Sequence, residues 1–298
     1  MSAWEPIATG ANVDETLAPL TVSLPPPGAS AAPLVFASPH SGRIYPRHMV
    51  EAARISPGAL RRSEDAYVDA LIEGAPGAGI VVIAARVARA FLDVNRGPWE
   101  LDPHMFEDEL PAFARTHTAR IAAGLGVIAR TVGEGGDIYA RKLTFAEAKA
   151  RVESVHHPYH ETLAGLIADA RERSGRVILI DWHSMPAAAA GYAFGGGGCD
   201  IVLGDRFGAA CSPTVSRLVE RELQDVGYTV ARNAPYAGGY TTEHYGRPAK
   251  KIHALQIEIN RALYLDEETL TLTNGFADLK RRLEQVFERL AAIDWASI

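Results

Sequence analysis

Residues 177–184 read VILIDWHS, an uninterrupted apolar run that leads into Asp181 and His183. A run of this length without polar interruption is typical of a β-strand that is buried on both faces of a sheet. Comparable runs, each bounded by turn-forming residues, recur at residues 34–37, 80–85, 91–94, 201–203 and 255–259. The sequence therefore predicts a sheet of buried strands.

Helical patterns separate these strands. Thr144 and Glu147 form a capping box that begins a long helix towards residue 173, with a break or kink expected at Pro158. Strands that alternate with helices predict an α/β fold in three layers, α/β/α, with a mixed, largely parallel central sheet. Other segments with apolar residues at helical spacing are 58–73, 212–226 and 274–292.

The length of the chain, 298 residues, suffices to bury a large core, and we predict a single domain over residues 1–298. Residues 1–30, which include three consecutive prolines at 25–27, read as an extended lead-in. The four consecutive glycines at 195–198 predict a flexible loop.

Composition excludes several classes of partner. The formal charge is −6 and no block of Lys or Arg occurs, which argues against nucleic acid or an anionic membrane as the main partner. Neither Cys199 nor Cys211 belongs to a CxxC pair, a pattern that suits two thiols in a reducing cytoplasm. The N-terminal residues lack the features of a secretory signal, and no apolar stretch approaches the ~20 residues of a spanning helix. We therefore expect a cytoplasmic protein that acts on a small molecule.

Polar residues follow or end four of the predicted strands. In open α/β sheets, ligands bind outside the carboxyl ends of the strands, so residues there are candidates for function. These positions carry groups that can bind metals, transfer protons or bind anions, and this convergence is the strongest functional signal in the sequence. The residues are His40, Asp93, Asn95, Arg96, Asp181, His183, Glu258, Asn260 and Arg261.

His40 and His183 predict a metal site. Imidazole is a common zinc ligand, and a catalytic zinc ion needs about three protein ligands and one open position. Either histidine alone would more often be a satisfied core or turn residue, but two at separate strand ends favour metal binding. A carboxylate from Glu64 or Asp65 could complete the set, and Asp181 is either a partner of His183 or a polar strand end.

Glu258 lies in an apolar strand, where an unpaired carboxylate is costly. Burial raises the pKa of a carboxyl group and a nearby cation lowers it, so such a group can be tuned to act as a general base. The structural alternative is a salt bridge with Arg261 or with another arginine. Arg96, Arg141 and Arg261 are candidates for anion recognition because a guanidinium matches a carboxylate, although Arg141 alone could be ordinary surface charge.

Two further segments have ambiguous patterns. Residues 156–160, HHPYH, place two histidines four residues apart, but the glutamate of HExxH is absent and Pro158 disturbs the helix. A structural role is therefore favoured over metal binding. Residues 233–246, NAPYAGGYTTEHYG, predict a mobile loop that could cover a substrate with Tyr240 and His244.

Six segments, in this order, resemble the N-formylglutamate amidohydrolase family: SPHSGRIYP, SEDAYVDAL, FLDVNRG, DWHS, GGYTTEHYG and LQIEINRALY. The match extends over nearly the whole chain. It implies a zinc-carboxypeptidase-like (phosphorylase/hydrolase-like) α/β fold and hydrolysis of an N-acyl amino acid. The typical reaction of the family is the conversion of N-formyl-L-glutamate to formate and L-glutamate in histidine breakdown.

The resemblance implies that His40, Asp65 and His183 bind Zn²⁺. Zinc carboxypeptidases, succinylglutamate desuccinylases and aspartoacylases take two ligands from an HxxE motif, but here Arg43 occupies the position of the glutamate. The carboxylate ligand must therefore come from elsewhere, and the family pattern favours Asp65 over Glu64.

The resemblance also assigns the remaining roles. Glu258 would be the catalytic carboxylate, and Arg96 would polarise the scissile carbonyl. The residues expected to bind the substrate are Arg43, Arg141, Arg261, Tyr240 and His244.

Three functions other than hydrolysis of N-formyl-L-glutamate are compatible with parts of the sequence. One is a deacylase of another N-acyl amino acid, and the second is a non-catalytic binding protein for a dicarboxylate or amino acid on the same fold. An amidase that uses Cys199 or Cys211 as the nucleophile is less favoured, because neither lies at a strand-to-helix elbow beside a histidine.

Overall fold

The computed structural model describes residues 18–133, 136–193 and 197–298. Residues 1–17 of the predicted lead-in, and residues 195 and 196 of the predicted glycine loop, lie outside the described residues. The chain divides into two compact units, and the prediction of a single domain stays a prediction. Of the described residues, the loop-rich unit comprises 18–21, 40–64, 85–133 and 136–161, and the sheet unit comprises 22–39, 65–84, 162–193 and 197–298.

A seven-stranded sheet is the main feature of the sheet unit. Its order is β1-β3-β2-β4-β7-β5-β6, and only the β5–β7 pair is antiparallel among the pairs whose register the described residues define. The predicted α/β fold with a mixed, largely parallel sheet is therefore confirmed. The strands are β1 (Leu20–Ser23), β2 (Leu34–Ser38), β3 (Val81–Ala85), β4 (Val177–Met185), β5 (Ile201–Gly204), β6 (Val230–Arg232) and β7 (Ile252–Asn260). A separate two-stranded ladder joins β8 (Leu265–Asp266) to β9 (Thr271–Leu272).

The two central strands, β4 and β7, continue beyond their apolar runs. Each has nine residues, and the two are paired in parallel so that Asp181 lies beside Gln256 and His183 beside Glu258. Successive side chains of a strand point to opposite faces. Trp182 lies in the main apolar core, so the four polar side chains point to the other face of the sheet.

Helices cover both faces of the sheet. On one face, α3, α8 and α10 pack on a core in which the rings of Phe36, Trp182 and Phe287 meet edge to face. On the opposite face, Ala190 of α7 packs with Val202 of β5. The helices of this unit are α3 (Val68–Leu71), α7 (Ala187–Ala190), α8 (Pro213–Asp225), α9 (Tyr240–Tyr245), α10 (Gly275–Ala292) and most of α6 (His157–Ser174).

The loop-rich unit contains the predicted capping box. The Thr144 hydroxyl accepts a hydrogen bond from the Glu147 amide at 3.2 Å, and the Glu147 carboxylate accepts one from the Thr144 amide at 2.8 Å. The expected break at Pro158 is a π-helical turn, Val152–His156, which ends just before α6. No helix among the described residues has both the length and the apolar character needed to cross a membrane. The helices of this unit are α1 (Arg47–Ala52), α2 (Pro57–Arg61), α4 (Ala119–Ala122) and α5 (Phe145–Arg151).

The prediction of a strand at residues 91–94 is wrong. The amides of Phe91 and Leu92 both donate to the carbonyl of Ala88, so the backbone curls into a turn and cannot pair along a sheet. The side chains of this segment are buried nonetheless. Burial in a loop, not in a sheet, explains the apolar run, and Asp93 therefore lies in a loop.

Two other predicted elements are also corrected. The helix predicted over residues 58–73 is broken between α2 and α3, because Tyr67 has a left-handed backbone (φ 63°) and the Ala66 carbonyl accepts a hydrogen bond from the Tyr264 hydroxyl. Asp65 consequently lies in a turn. The segment predicted as a mobile loop, 233–246, contains the helix α9, whose buried threonines anchor it.

Candidate active site

His183 is held between two carboxylates on the polar face of β4. Its Nε2 atom lies 3.0 Å from Asp181 Oδ2, and its Nδ1 atom lies 2.9 Å from Asp65 Oδ2. Asp181 is two residues earlier on the same strand, whereas Asp65 comes from the turn before α3. All three side chains are buried.

The surroundings of His183 favour a cation. Burial lowers the pKa of the imidazole, but Asp181, then Asp65 and Glu258, outweigh this effect and raise the pKa well above its usual value. If Nε2–H donates to Asp181, the lone pair of Nδ1 faces an oxygen of Asp65 only 2.9 Å away. A proton or a metal ion must then lie between these two atoms.

Arg261 binds the other oxygen of Asp65. Its Nη2 atom donates to Asp65 Oδ1 at 3.0 Å, and its Nε atom donates to Ser184 Oγ at 3.0 Å. The guanidinium, which the sequence suggested for the substrate carboxylates, is therefore buried and engaged with Asp65 and Ser184. Its role in substrate binding stays a prediction.

Glu258 has a partner that the sequence reasoning missed. Gln256 Nε2 donates to Glu258 Oε1 at 2.7 Å, and both side chains are buried on the polar face of β7. The signal was present in the sequence, since two positions along a strand share a face. Gln256 was read only as part of an apolar run.

His40 follows β2 and has its own carboxylate partner. Its Nε2 atom lies 2.6 Å from Asp93 Oδ1, and both groups are buried. Burial raises the pKa of Asp93, but the positive charges of Arg89, His40 and Arg96 outweigh it and hold that pKa well below its usual value. Because the ionised carboxylate can only accept, Nε2 donates to it, and Nδ1 is the ring nitrogen through which His40 could bind a metal ion.

His40, Asp65 and His183 each offer a ligand atom that suits a metal ion. Within the sheet unit, the Nδ1 atom of His183 lies 2.9 Å from Oδ2 of Asp65, and within the loop-rich unit His40 is held by Asp93; all three proposed ligands are buried. Two imidazoles and one carboxylate form a donor set known from catalytic zinc sites, and a carboxylate behind each histidine is the usual support for such ligands. These residues therefore fit a zinc ion.

Glu64, the alternative carboxylate ligand, is engaged elsewhere. It accepts two hydrogen bonds from Arg61, at 3.0 and 3.1 Å, and one from the Tyr45 hydroxyl at 2.8 Å. These bonds compensate the charge of a carboxylate that has no solvent exposure.

The arginines predicted to contact the substrate differ in their surroundings. Arg96 is half-buried, and its guanidinium donates to the carbonyls of Leu125 and Asn95. Arg141 is exposed and forms a two-point ion pair with Glu147. Arg43 is exposed. Their roles stay predictions.

The other polar segments have structural contacts. The rings of Tyr240 and His244 stack on α9 with centroids 5.0 Å apart. His156 and His160 donate hydrogen bonds to the backbone carbonyls of Arg96 and Val94, at 2.9 and 2.7 Å. The histidine cluster thus supports the loop that carries Asp93 and Arg96.

The two thiols are poor candidates for a nucleophile. Cys199 and Cys211 are both buried and form no disulfide. Burial raises the pKa of Cys211 to about 12, so its thiolate is scarce near neutral pH.

Known proteins provide an independent comparison. The model of the N-formylglutamate amidohydrolase family matches residues 32–265. N-formylglutamate deformylase of Pseudomonas putida is 31% identical over 242 residues, which cover 79% of this chain and 82% of that protein. N-formylglutamate deformylase of Pseudomonas aeruginosa is 29% identical over 240 residues, with 79% and 83% covered.

A solved structure agrees with the sequence comparisons. The crystal structure of N-formylglutamate amidohydrolase from Ralstonia eutropha JMP134 superimposes with a TM-score of 0.86 at 40% identity, and covers 92% of this chain and 98% of that one. The resemblance predicted from the six segments is confirmed. This chain is a hydrolase that acts on an amide bond, and it belongs to the N-formylglutamate amidohydrolase family.

Proposed function

We propose that this protein hydrolyses N-formyl-L-glutamate to formate and L-glutamate, as a step of histidine breakdown, with a zinc ion bound by His40, Asp65 and His183. The observation that carries the proposal is the buried contact of His183 Nδ1 with Asp65 Oδ2 at 2.9 Å, supported by the buried His40 that Asp93 holds. The names of the relatives, N-formylglutamate deformylase and N-formylglutamate amidohydrolase, support the choice of substrate.

Zinc, when bound, supplies Lewis acidity that makes an amide carbonyl more electrophilic and a nearby water more acidic. Glu258 is the residue that moves the proton in this proposal. It is buried beside His183 in the strand register, and its hydrogen bond from Gln256 orients the carboxylate. Glu258 takes a proton from the attacking water and gives it to the leaving nitrogen, so that formate and the amino group of L-glutamate are released.

The remaining predicted residues complete the proposal. Arg96 polarises the scissile carbonyl, since a guanidinium stabilises the negative charge that develops on the oxygen. Arg43 and Arg141, which are both exposed, bind the substrate carboxylates in this proposal, and the stacked rings of Tyr240 and His244 contact the substrate.

A panel of substrates tests the proposal. Hydrolysis of N-formyl, N-acetyl and N-succinyl forms of L-glutamate and L-aspartate would be measured with and without a chelator. We expect N-formyl-L-glutamate to react fastest, the chelator to abolish turnover and added zinc to restore it. His40→Ala serves as the control that should contain little zinc. Turnover that resists the chelator, or a preference for a longer acyl group, would contradict the proposal.

A further inference from the structure

A closed chain of contacts surrounds Asp65 within the sheet unit. One oxygen of Asp65 lies 2.9 Å from His183 Nδ1, and the other accepts a hydrogen bond from Arg261 Nη2 at 3.0 Å. Arg261 returns to β4 through Ser184, whose side-chain oxygen accepts from Nε at 3.0 Å. Because Ser184 follows His183 directly, the chain of contacts closes on the strand that carries the imidazole.

The geometry restricts how Asp65 can bind a metal. A carboxylate can coordinate with one oxygen or with both, and a catalytic zinc ion needs an open position in addition to its protein ligands. Here Oδ1 accepts from a buried guanidinium, whereas Oδ2 is the oxygen that lies next to His183. Two-oxygen coordination would have to share Oδ1 between the metal and this guanidinium.

The hydrogen bond to Ser184 explains why position 261 carries an arginine. Nε donates to the Ser184 hydroxyl while Nη2 donates to Asp65, so one rigid, planar group spans both acceptors. A lysine ammonium could neutralise Asp65 but could not span both acceptors with fixed geometry.

We propose that Arg261 is a positioning residue that holds Asp65 in one-oxygen coordination, and not a residue that binds the substrate carboxylates. The proposal rests on the zinc site proposed above. It assigns the selectivity for an anionic substrate to other cations, and it makes Arg261 part of the support of the metal.

Zinc affinity and cobalt spectra test this role directly. The zinc dissociation constant of the wild type, Arg261→Lys and Arg261→Gln would be measured by competition with a chromophoric chelator. Loss of such a support typically weakens metal binding about 10–100-fold, so we expect that rise for the glutamine variant and a smaller one for the lysine variant. In the cobalt-substituted protein, release of Oδ1 should raise the coordination number and weaken the visible absorption bands. Arg176→Gln, which removes another buried arginine, should change neither.

Steady-state kinetics separate the two roles of Arg261. At saturating zinc, we expect the KM for N-formyl-L-glutamate in Arg261→Lys to stay within about threefold of the wild-type value. Unchanged zinc affinity and cobalt bands together with a large rise in KM would overturn the proposal. If Arg261→Gln does not fold, Ser184→Ala decides: weaker zinc binding supports the proposal and unchanged binding contradicts it. A wild-type protein that binds no zinc would instead refute the proposed function.

Discussion

At the scale of single residues, the two histidines share one arrangement. Each presents Nε2 to a buried carboxylate, Asp93 for His40 and Asp181 for His183. Each carboxylate accepts from Nε2, so Nδ1 is the nitrogen of each ring through which a metal ion could bind. The His40–Asp93 pair lies in the loop-rich unit, and the His183–Asp181 pair lies in the sheet unit.

The partner of His40 provides the first prediction. Asp93→Asn removes the charge that orients the imidazole, and we expect the zinc dissociation constant to rise about 10–100-fold. The measurement is chelator competition, with unfolding curves to verify folding. Asp102→Asn is a matched control, because Asp102 is also buried and lies 2.9 Å from the Nδ1 atom of His104. Equal loss of zinc affinity in both variants would count against a specific role for Asp93.

Glu258 provides the second prediction. Glu258→Gln keeps the shape of the side chain but cannot accept a proton, so kcat should fall about 10²–10⁴-fold while the zinc content stays constant. Turnover of N-formyl-L-glutamate and metal analysis of the same sample provide the measurement. Glu222→Gln on α8 controls for the loss of a buried glutamate, and should retain activity. A Glu258→Gln enzyme with normal kcat would exclude Glu258 as the proton carrier.

At the scale of elements, the start of α5 combines a capping box with an ion pair. Glu147 accepts hydrogen bonds from Arg141 and from the Thr144 amide. The side-chain hydrogen bonds from Arg141, opposed by partial burial and aided by the Thr144 amide, lower the pKa of Glu147 to about 2. A depressed pKa means that the folded protein favours the ionised group, so its stabilisation exists above the unfolded pKa and is lost as the pH falls.

We therefore expect Glu147→Gln to lower the free energy of unfolding by about 0.5–1 kcal/mol at pH 7, because glutamine can still complete the capping box and only the exposed ion pair with Arg141 is lost. The difference in unfolding free energy between wild type and variant should shrink as the pH falls from 4.5 towards 2, because these are the unfolded and folded pKa values of Glu147. Urea unfolding at several pH values measures it. Arg141→Gln should show the same trend, and a rise in its KM would support the predicted role of Arg141 in substrate binding. A difference that does not change with pH would show that charge is not its cause.

At the scale of the whole molecule, the proposed ligands are far apart in the sequence. Asp65 and His183 are separated by 118 positions, and His40 comes before both. A ligand that binds only the folded chain adds its binding free energy to stability, about 2.7 kcal/mol at 100 times its dissociation constant. Metal binding and folding are therefore coupled.

Removal of zinc should lower the thermal stability. At a zinc concentration of 100 times Kd, we expect a chelator to lower Tm by roughly 5–10 °C. Calorimetry of the wild type and of His40→Ala, with and without chelator, provides the comparison. The variant should not respond to the chelator. A similar shift in both proteins would place the stabilising metal at a different site.

The strands of the sheet and the amphipathic helices could be predicted from local sequence patterns. The run at residues 177–180 became β4, and the positions Leu279, Leu283, Val286 and Leu290 are buried on α10 as their spacing predicts. Both patterns record which side chains avoid water, and that information is local. The strand prediction at residues 91–94 is wrong for the same reason. An apolar run indicates that side chains are buried, but it does not indicate which groups the backbone amides and carbonyls bond to.

The sequence by itself determined the family, the sheet of buried strands and the polar residues on and after those strands, because these depend on residue type and spacing. Only the tertiary structure paired His40 with Asp93, Glu258 with Gln256 and Arg261 with Asp65. Hydrogen bonds between residues far apart in the chain depend on distances that folding sets. That is why Arg261, read from the sequence as a ligand for the substrate, is found holding Asp65.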